Sequence, residues 1–116
     1  MLAVAALALS LCPVVHIRDG DTFVCQSGEV VRLVDIDAPE LRSRCPAERA
    51  LAIRARNRLA ELVRGGVTLY RLGRDRDRWN RALRVVVRVR DNRSLGDILV
   101  SEGLPRTWTG RRQPWC

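Results

Sequence analysis

Three short segments of the chain carry the side chains best suited to chemistry. Residues 19–22 read Asp-Gly-Asp-Thr, residues 32–40 read Arg-Leu-Val-Asp-Ile-Asp-Ala-Pro-Glu, and residues 77–81 read Asp-Arg-Trp-Asn-Arg. Carboxylate and carbonyl oxygens are the ligands that a hard cation such as Ca²⁺ prefers, and guanidinium groups fork onto phosphate oxygens. Taken singly, the segments are typical of a hairpin turn, a strand exit and a solvated loop. Their joint order and spacing around the predicted strands indicates a functional site.

Softer metals match this sequence less well. His16 is the sole histidine, and it lies in the first predicted strand, where a structural role is expected. The four cysteines show no Cys-x-x-Cys spacing, which argues against a zinc site. Without a cluster of His and Cys side chains, the sequence favours oxygen ligands.

Hydrophobic patterns predict the elements that position the three segments. Strands are expected at residues 14–17, 22–25, 30–36, 67–72 and 83–89, with a tight turn at Asp19-Gly20 closing the first hairpin. A long helix begins at Pro46 and is ended by the glycine pair at residues 65–66. Ser94 with Asp97 resembles a capping box for a short second helix. The tail, residues 104–116, is expected to be irregular.

This order of elements predicts the fold class. We expect a mixed α+β fold that is mainly β: a five-stranded OB-fold β-barrel with a helix between strands 3 and 4 and a short helix after strand 5. The chain has 116 residues, which is the size of one domain. A fold of this kind does not by itself give a function.

The charge of the chain points to an anionic partner. Lys and Arg number 21 against 13 Asp and Glu, for a net charge of +8, and every basic residue is Arg. Nucleic acid is the first candidate partner and acidic lipid the second. A basic surface that serves only solubility, or a coding bias toward Arg, is the plain alternative.

The N-terminus and the cysteines suggest export. Residues 1–12 are apolar and uncharged, too short to span a bilayer, and similar to an export signal or leader remnant. Residues 13–116 would then form the single domain. The even number of cysteines favours disulfides in an oxidising compartment, with buried free thiols as the alternative. Of the three possible pairings we favour Cys12–Cys25, which the first hairpin brings together, and therefore Cys45–Cys116.

These motifs resemble the staphylococcal nuclease (thermonuclease) family. The resemblance runs from about residue 14 to about residue 108. It rests on the Asp-Gly-Asp-Thr turn, the Arg of the third strand, the Asp-x-Pro-Glu exit and the Asp-x-x-x-Arg approach to the fifth strand. It implies an OB barrel, a calcium cofactor, and hydrolysis of DNA and RNA phosphodiesters that leaves 3′-phosphates. Single strands are the expected preferred substrate, and a monomer without membrane insertion is expected.

The resemblance also implies roles for single residues. The Asp21 and Asp37 carboxylates and the Ala38 carbonyl would bind Ca²⁺, although the family often has Thr at the position of Ala38. Glu40 would be the general base, or would orient the attacking water. Arg32 and Arg81 would bind the scissile phosphate.

Aromatic side chains near this set are candidates for substrate binding. Trp79 and Trp108 could stack on bases, and Arg78 lies beside the first of them. The family usually has Tyr-Gly where this chain has Trp79-Asn80. Simple packing is the alternative role for Trp79.

Three hypotheses follow from these observations. The first is an exported, calcium-dependent nuclease. The second is a non-catalytic OB-fold module that binds nucleic acid through its arginines. The third is a small disulfide-rich secreted protein that contacts a membrane or a protein partner, which leaves the carboxylate set unexplained.

Overall fold

The computed structural model describes residues 8–116, with side chains from residue 12 onward. Residues 1–7, and with them most of the expected leader at residues 1–12, lie outside the described residues. Within the described part, no helix is both long and apolar enough to cross a membrane.

The described residues form eight strands and two helices. In chain order the elements are β1 (Ala8–Leu11), β2 (Val14–Asp19), β3 (Thr22–Cys25), β4 (Val30–Leu33), β5 (Ile36–Asp37), α1 (Pro46–Leu62), β6 (Val67–Tyr70), β7 (Ala82–Arg88), α2 (Leu95–Ser101) and β8 (Arg106–Thr107).

Six of the strands form one mixed sheet. Its order is β1-β6-β7-β4-β3-β2, in which β4 and β7 run parallel and the other neighbours antiparallel. The parallel pair requires a crossover, which α1 and β6 supply. The mixed α+β, mainly β class predicted from the sequence is therefore confirmed.

The described residues do not form a closed barrel, so the predicted five-stranded OB-fold barrel is supported only as an OB-like fold. The edge strands β1 and β2 do not pair with each other in the described part of the chain. They are successive pieces of one segment, interrupted at Cys12 and Pro13, and proline has no N–H to donate to a ladder. The two edges of the sheet therefore approach at this corner without closing, an arrangement that is consistent with an OB-like fold.

The strand predicted at residues 30–36 is in fact two strands. A turn at Val34 and Asp35 separates β4 from β5. The Val34 N–H still donates to the Arg84 carbonyl of β7 (3.0 Å), so the contact between β4 and β7 extends into the turn. β5 then pairs with β8, which lies in the tail that was expected to be irregular. Asp37 therefore belongs to a second, two-stranded sheet, separate from the six-stranded one.

Helix α1 covers one face of the sheet with a buried stripe of Ala52, Ala55, Leu59 and Leu62. Pro46 occupies its first turn, as predicted, and Glu48 lies where the helix dipole favours negative charge. The β2–β3 turn is pressed against this helix, because a Cβ built on Gly20 would lie 2.7 Å from the Ala55 Cβ. Only glycine fits this contact without a shift of the backbone.

Both expected disulfides are present. Cys12 pairs with Cys25 across 5.4 Å between Cα atoms, and Cys45 pairs with Cys116 across 6.4 Å. The first bond ties the sheet corner to β3. The second ties the last residue of the chain to the N-cap of α1. Two such bonds favour an extracellular or otherwise oxidising environment.

Candidate functional site

Asp21 lies at the exit of the β2–β3 turn, where the backbone holds its carboxylate inside the protein. Its N–H donates to Asp19 Oδ1 (3.1 Å), and the hydroxyl of Thr22 donates to Asp21 Oδ1 (2.8 Å). The side chain is only 11% exposed. Burial, followed by the neighbouring carboxyl of Asp19, raises the pKa of Asp21 to about 7. Such an environment favours a nearby cation, because a cation would offset the cost of the buried charge.

Arg32 is held beside Asp21 by the pairing of β3 with β4, in which Thr22 is opposite Arg32. Its guanidinium lies 3.6 Å from Asp21 Oδ2. It also donates to the carbonyls of Leu33 (2.8 Å) and Ile36 (3.1 Å). These backbone contacts fix the guanidinium where β4 ends, so its direction does not depend on the carboxylate alone.

Asp37 and Glu40 follow from β5 in very different surroundings. Asp37 is 2% exposed, and neither of its carboxylate oxygens accepts a hydrogen bond of good geometry in the described residues. Glu40 is open, with 56% of its side chain exposed. Its backbone N–H donates to the carboxylate of Glu48 in the first turn of α1 (2.7 Å), which anchors the loop after the strand.

The loop before β7 is built around Asp77. Its carboxylate accepts hydrogen bonds from the backbone N–H groups of Trp79 and Arg81 (both 3.0 Å) and from Arg81 Nε (2.7 Å). The turn needs a left-handed residue, and Asn80 has φ 63°. Among non-glycine residues, Asn is one of those that adopt this conformation most readily, so it suits this position in the turn.

A cavity of about 110 Å³ gathers these separate segments. Arg81 Nη1 lies 3.4 Å from the Thr22 hydroxyl, which links the last predicted segment to the first. Of the predicted catalytic and metal-binding residues, all but Asp37 line this cavity. Its lining residues are Asp19, Asp21, Arg32, Ala38, Pro39, Glu40, Arg81 and Arg112.

A wider cleft of about 440 Å³ adjoins this cavity and shares Arg32, Glu40, Arg81 and Arg112 with it. Both candidate stacking residues, Trp79 and Trp108, line this cleft. The Arg32 guanidinium lies 5.8 Å from the ring centre of Trp108. The other residues that line the cleft are Val34, Arg74, Asp77 and Leu83.

Arg78 lies apart from the other predicted residues. It lines neither the cavity nor the cleft, and its guanidinium packs 4.5 Å from the ring centre of Trp79. Trp79 itself is 64% exposed, so this pair forms an outer rim of the cleft.

The oxygen donors of this region suit a hard cation, but they are few. Among the described residues, no three His, Cys, Asp or Glu side chains form a group that could hold a metal ion. What the site offers is the buried carboxylate of Asp37 without a hydrogen bond, the buried carboxylate of Asp21, and the carbonyl of Ala38. Two carboxylates and a carbonyl, completed by waters, fit Ca²⁺ better than a soft metal.

Sequence reasoning missed two residues of this site. Asp19 lies in the Asp-Gly-Asp-Thr motif, so its spacing from Asp21 was an available signal. Arg112 had no such signal, because it is one of many arginines in a tail without a pattern. Its guanidinium lies 3.2 Å from Asp37 Oδ1 and 3.1 Å from Glu40 Oε1, and it donates to the Ala38 carbonyl (3.3 Å).

Comparison with known families gives one match. A family model described as staphylococcal nuclease homologue matches residues 30–114, which is well over half of the chain. The matched range includes Arg32, Asp37, Glu40 and Arg81, and it begins after Asp21. No curated protein matches the chain.

Proposed function

Because the chain belongs to the staphylococcal nuclease homologue family, we propose that it is a calcium-dependent nuclease. The reaction would be hydrolysis of DNA and RNA phosphodiester bonds that leaves 3′-phosphates. Family members are usually nucleases, and the observation that carries the proposal is the 110 Å³ cavity itself. Its lining includes two acidic residues, Asp21 and Glu40, and two arginines, Arg32 and Arg81, which come from three distant segments of the chain.

Calcium would be held by the carboxylates of Asp21 and Asp37 and by the carbonyl of Ala38. When bound, it would supply positive charge next to the phosphoryl oxygens, on which negative charge accumulates during attack. Asp37 supports this assignment, because a buried charge is costly unless a cation accompanies it, and the cation now beside it is the half-exposed guanidinium of Arg112 at 3.2 Å, which Ca²⁺ would replace. Ala38, where the family often has Thr, still offers its backbone carbonyl as a ligand.

Glu40 would act as the general base. Its carboxylate is exposed enough to meet water at the mouth of the cavity, while its backbone is anchored by Glu48. A positioned carboxylate base contributes roughly 10²–10⁴-fold to such reactions. Proton removal by Glu40 would make the water a better nucleophile toward phosphorus.

Arg32 and Arg81 would bind the scissile phosphate. Contacts to the protein orient both guanidiniums. Arg32 donates to the carbonyls of Leu33 and Ile36, and Arg81 donates to the carboxylate of Asp77. Guanidiniums fixed before the reaction stabilise developing charge without reorganisation, and one such group is typically worth about 10²–10³-fold.

The adjoining cleft would bind the nucleotides around the cleaved bond. Trp79 and Trp108 offer faces on which unpaired bases stack, and Arg78 would contribute at the rim. Stacking of this kind needs exposed base faces, so single-stranded DNA and RNA would be preferred. We further propose that the protein is an exported monomer with an OB-type fold, since its two disulfides suit an oxidising compartment.

A non-catalytic module that binds nucleic acid is the second candidate function. One observation favours it: Arg112 contacts Asp37, Ala38 and Glu40 together, and thereby engages groups that the nuclease needs. Such a module would use the same arginines to hold a strand and would leave it intact.

Cleavage of a single-stranded oligonucleotide, with Ca²⁺ or with a chelator, separates the two candidates. The nuclease degrades the strand only with Ca²⁺, whereas the module retards it intact in both conditions. Products that accept a label at the 3′ end only after phosphatase treatment carry 3′-phosphates. Degradation that persists in the chelator would contradict the calcium assignment.

The role of Glu40 can be tested in the same assay. Glu40→Gln should keep oligonucleotide binding and lose roughly 10²–10⁴-fold in turnover, because it removes only the base. Glu61→Gln, an exposed residue at the far end of α1, is the matched control and should cut at the parent rate. Cleavage by Glu40→Gln at the parent rate would show that another group takes the proton.

A further inference from the structure

Arg112 contacts the oxygens that the proposed metal would need. One nitrogen of its guanidinium lies between the carboxylates of Asp37 and Glu40, at 3.2 Å and 3.1 Å. The other nitrogen donates to the carbonyl of Ala38 at 3.3 Å. A single organic cation therefore contacts two of the three proposed calcium ligands and the proposed general base.

These contacts compensate the buried charge of Asp37. Asp37 is 2% exposed, and its carboxylate lacks a hydrogen bond of good geometry in the described residues. Among the ion pairs of the described chain, the Arg112 guanidinium is the only cation close to this carboxylate. Arg112 itself is 46% exposed. A half-exposed arginine contributes modestly to stability, and can therefore leave when a divalent ion offers stronger compensation.

The tail around Arg112 is tethered on the C-terminal side. Cys116, four residues further on, is bonded to Cys45 at the start of α1. Arg106 closes the same segment from the other side, with its guanidinium 3.8 Å from the ring centre of Trp115 and a hydrogen bond to the Pro114 carbonyl (2.8 Å). A short tethered segment gives its side chains a high effective concentration at the site they face.

We propose that Arg112 is a tethered competitor for the metal site, held there by the Cys45–Cys116 bond, and that Ca²⁺ must displace it to bind. This inference rests on the proposed function, because it takes Asp37 and Ala38 as metal ligands. It adds a regulatory contact inside the chain: the calcium concentration needed to load the site is set by the tail as well as by the ligands. Two cations share the same oxygens, so binding of one opposes binding of the other.

Calorimetric titration of Ca²⁺ into metal-free protein, without nucleic acid, tests this directly. Arg112→Gln should bind Ca²⁺ about tenfold more tightly than the parent, a typical size for coupling between two binding events. Arg111→Gln is the matched control, since it removes the same charge from the neighbouring exposed residue. It should change the affinity by less than about twofold, as expected of an exposed charge.

Removal of the tether supplies an independent variant. Replacing both Cys45 and Cys116 by Ser should raise the calcium affinity when Arg112 is present, because the guanidinium then spends less time at the site. In the Arg112→Gln background the same pair of substitutions should leave the affinity unchanged. An equal effect of tether removal in both backgrounds would overturn the proposal.

The outcomes distinguish this inference from the proposed function. Equal affinities for the parent, Arg112→Gln and Arg111→Gln would reject the competition and leave the calcium site standing. Absence of calcium binding in every variant would reject the metal site, and the competition with it. Calcium binding that is tighter in Arg112→Gln than in the parent and in Arg111→Gln would support both the metal site and the competition.

Discussion

The carboxyl group of Asp21 shows how the site uses an unfavourable environment. It is buried, and the nearby Asp19 carboxyl adds like charge, so its pKa is raised to about 7 although Arg32 lies 3.6 Å away. An ordinary Asp in the unfolded chain titrates near 3.8. Without a metal, and at pH values between about 4 and 7, Asp21 is therefore protonated in the folded protein and ionised in the unfolded chain.

This difference predicts a pH-dependent stability in the metal-free protein. Between about pH 4 and pH 7 the folded state binds the additional proton, so raising the pH through this window lowers the free energy of unfolding. Asp21→Asn removes the titration. Relative to the parent, it should gain up to roughly 2–4 kcal/mol of stability between pH 4 and pH 8, as a shift of this size implies. Urea unfolding at both pH values, in the presence of a chelator, measures the gain.

The control for this measurement is Asp91→Asn. A hydrogen bond from Arg88 lowers the pKa of Asp91 to about 2, so its stabilising effect is present above pH 3.8 and is lost only as the pH falls through about 2. Across pH 4–8 its stability difference from the parent should be nearly flat. A difference between Asp21→Asn and the parent that is equally flat would contradict the raised pKa of Asp21.

At the level of the elements, the β2–β3 turn and helix α1 share one close contact that places the site. A Cβ at Gly20 would lie 2.7 Å from the Ala55 Cβ and 3.4 Å from the Ala38 Cβ. The turn carries Asp21, and Ala38 supplies a proposed ligand. The two parts of the site are therefore positioned by the same packing surface.

Gly20→Ala should disturb this surface. The added methyl group forces the turn away from α1, with an expected loss of ~1–3 kcal/mol in stability for overpacking of this kind, together with weaker calcium binding. Gly73→Ala is the control, because nothing lies within 4 Å of its built Cβ, and it should be nearly neutral. Thermal unfolding measures both. Because glycine inside a helix costs about 1 kcal/mol relative to alanine, Ala55→Gly should destabilise the parent by this amount but should cost less in the Gly20→Ala background, where it relieves the overlap. A neutral Gly20→Ala would show that the turn has room to spare.

The elements also show why the sequence predicted some parts of the fold and not others. The strand of residues 22–25 and the helix start at Pro46 depend on local patterns of alternation and capping, and both are observed. The turn at Val34 and Asp35 leads into β5, and the pairing of β5 with β8 depends on the path of the tail. Hydrophobic periodicity contains no information on such contacts.

The same distinction applies to the candidate site. The carboxylates and arginines of the three segments could be picked out because each belongs to a short motif in fixed register with a strand. Arg112 could not, since its position follows from the tail and from the Cys45–Cys116 bond. The convergence of the three segments depends on the whole sheet, and it could be expected only through the family resemblance.

For the molecule as a whole, the net charge of +8 raises the question of where a nucleic acid strand is held. Four arginines line the cleft: Arg32, Arg74, Arg81 and Arg112. Other arginines, such as Arg54 on the exposed face of α1, lie elsewhere. If the strand follows the cleft, the salt dependence of binding should reflect the cleft arginines and not the total charge.

Binding of a single-stranded oligonucleotide in a chelator, measured by fluorescence anisotropy at several salt concentrations, tests this. Each phosphate neutralised on a single strand contributes a slope of about −0.7 in log K against log salt. In the chelator Arg112 is paired with Asp37 and Glu40, so the three remaining cleft arginines give a slope of about −2. Arg74→Gln should reduce the slope by ~0.7, because it removes one contact outside the proposed catalytic set. Arg54→Gln carries the same charge change and should leave the slope intact. Equal slopes for the two variants would mean that the strand is attracted by the charge of the entire surface, and the cleft would then no longer be its path.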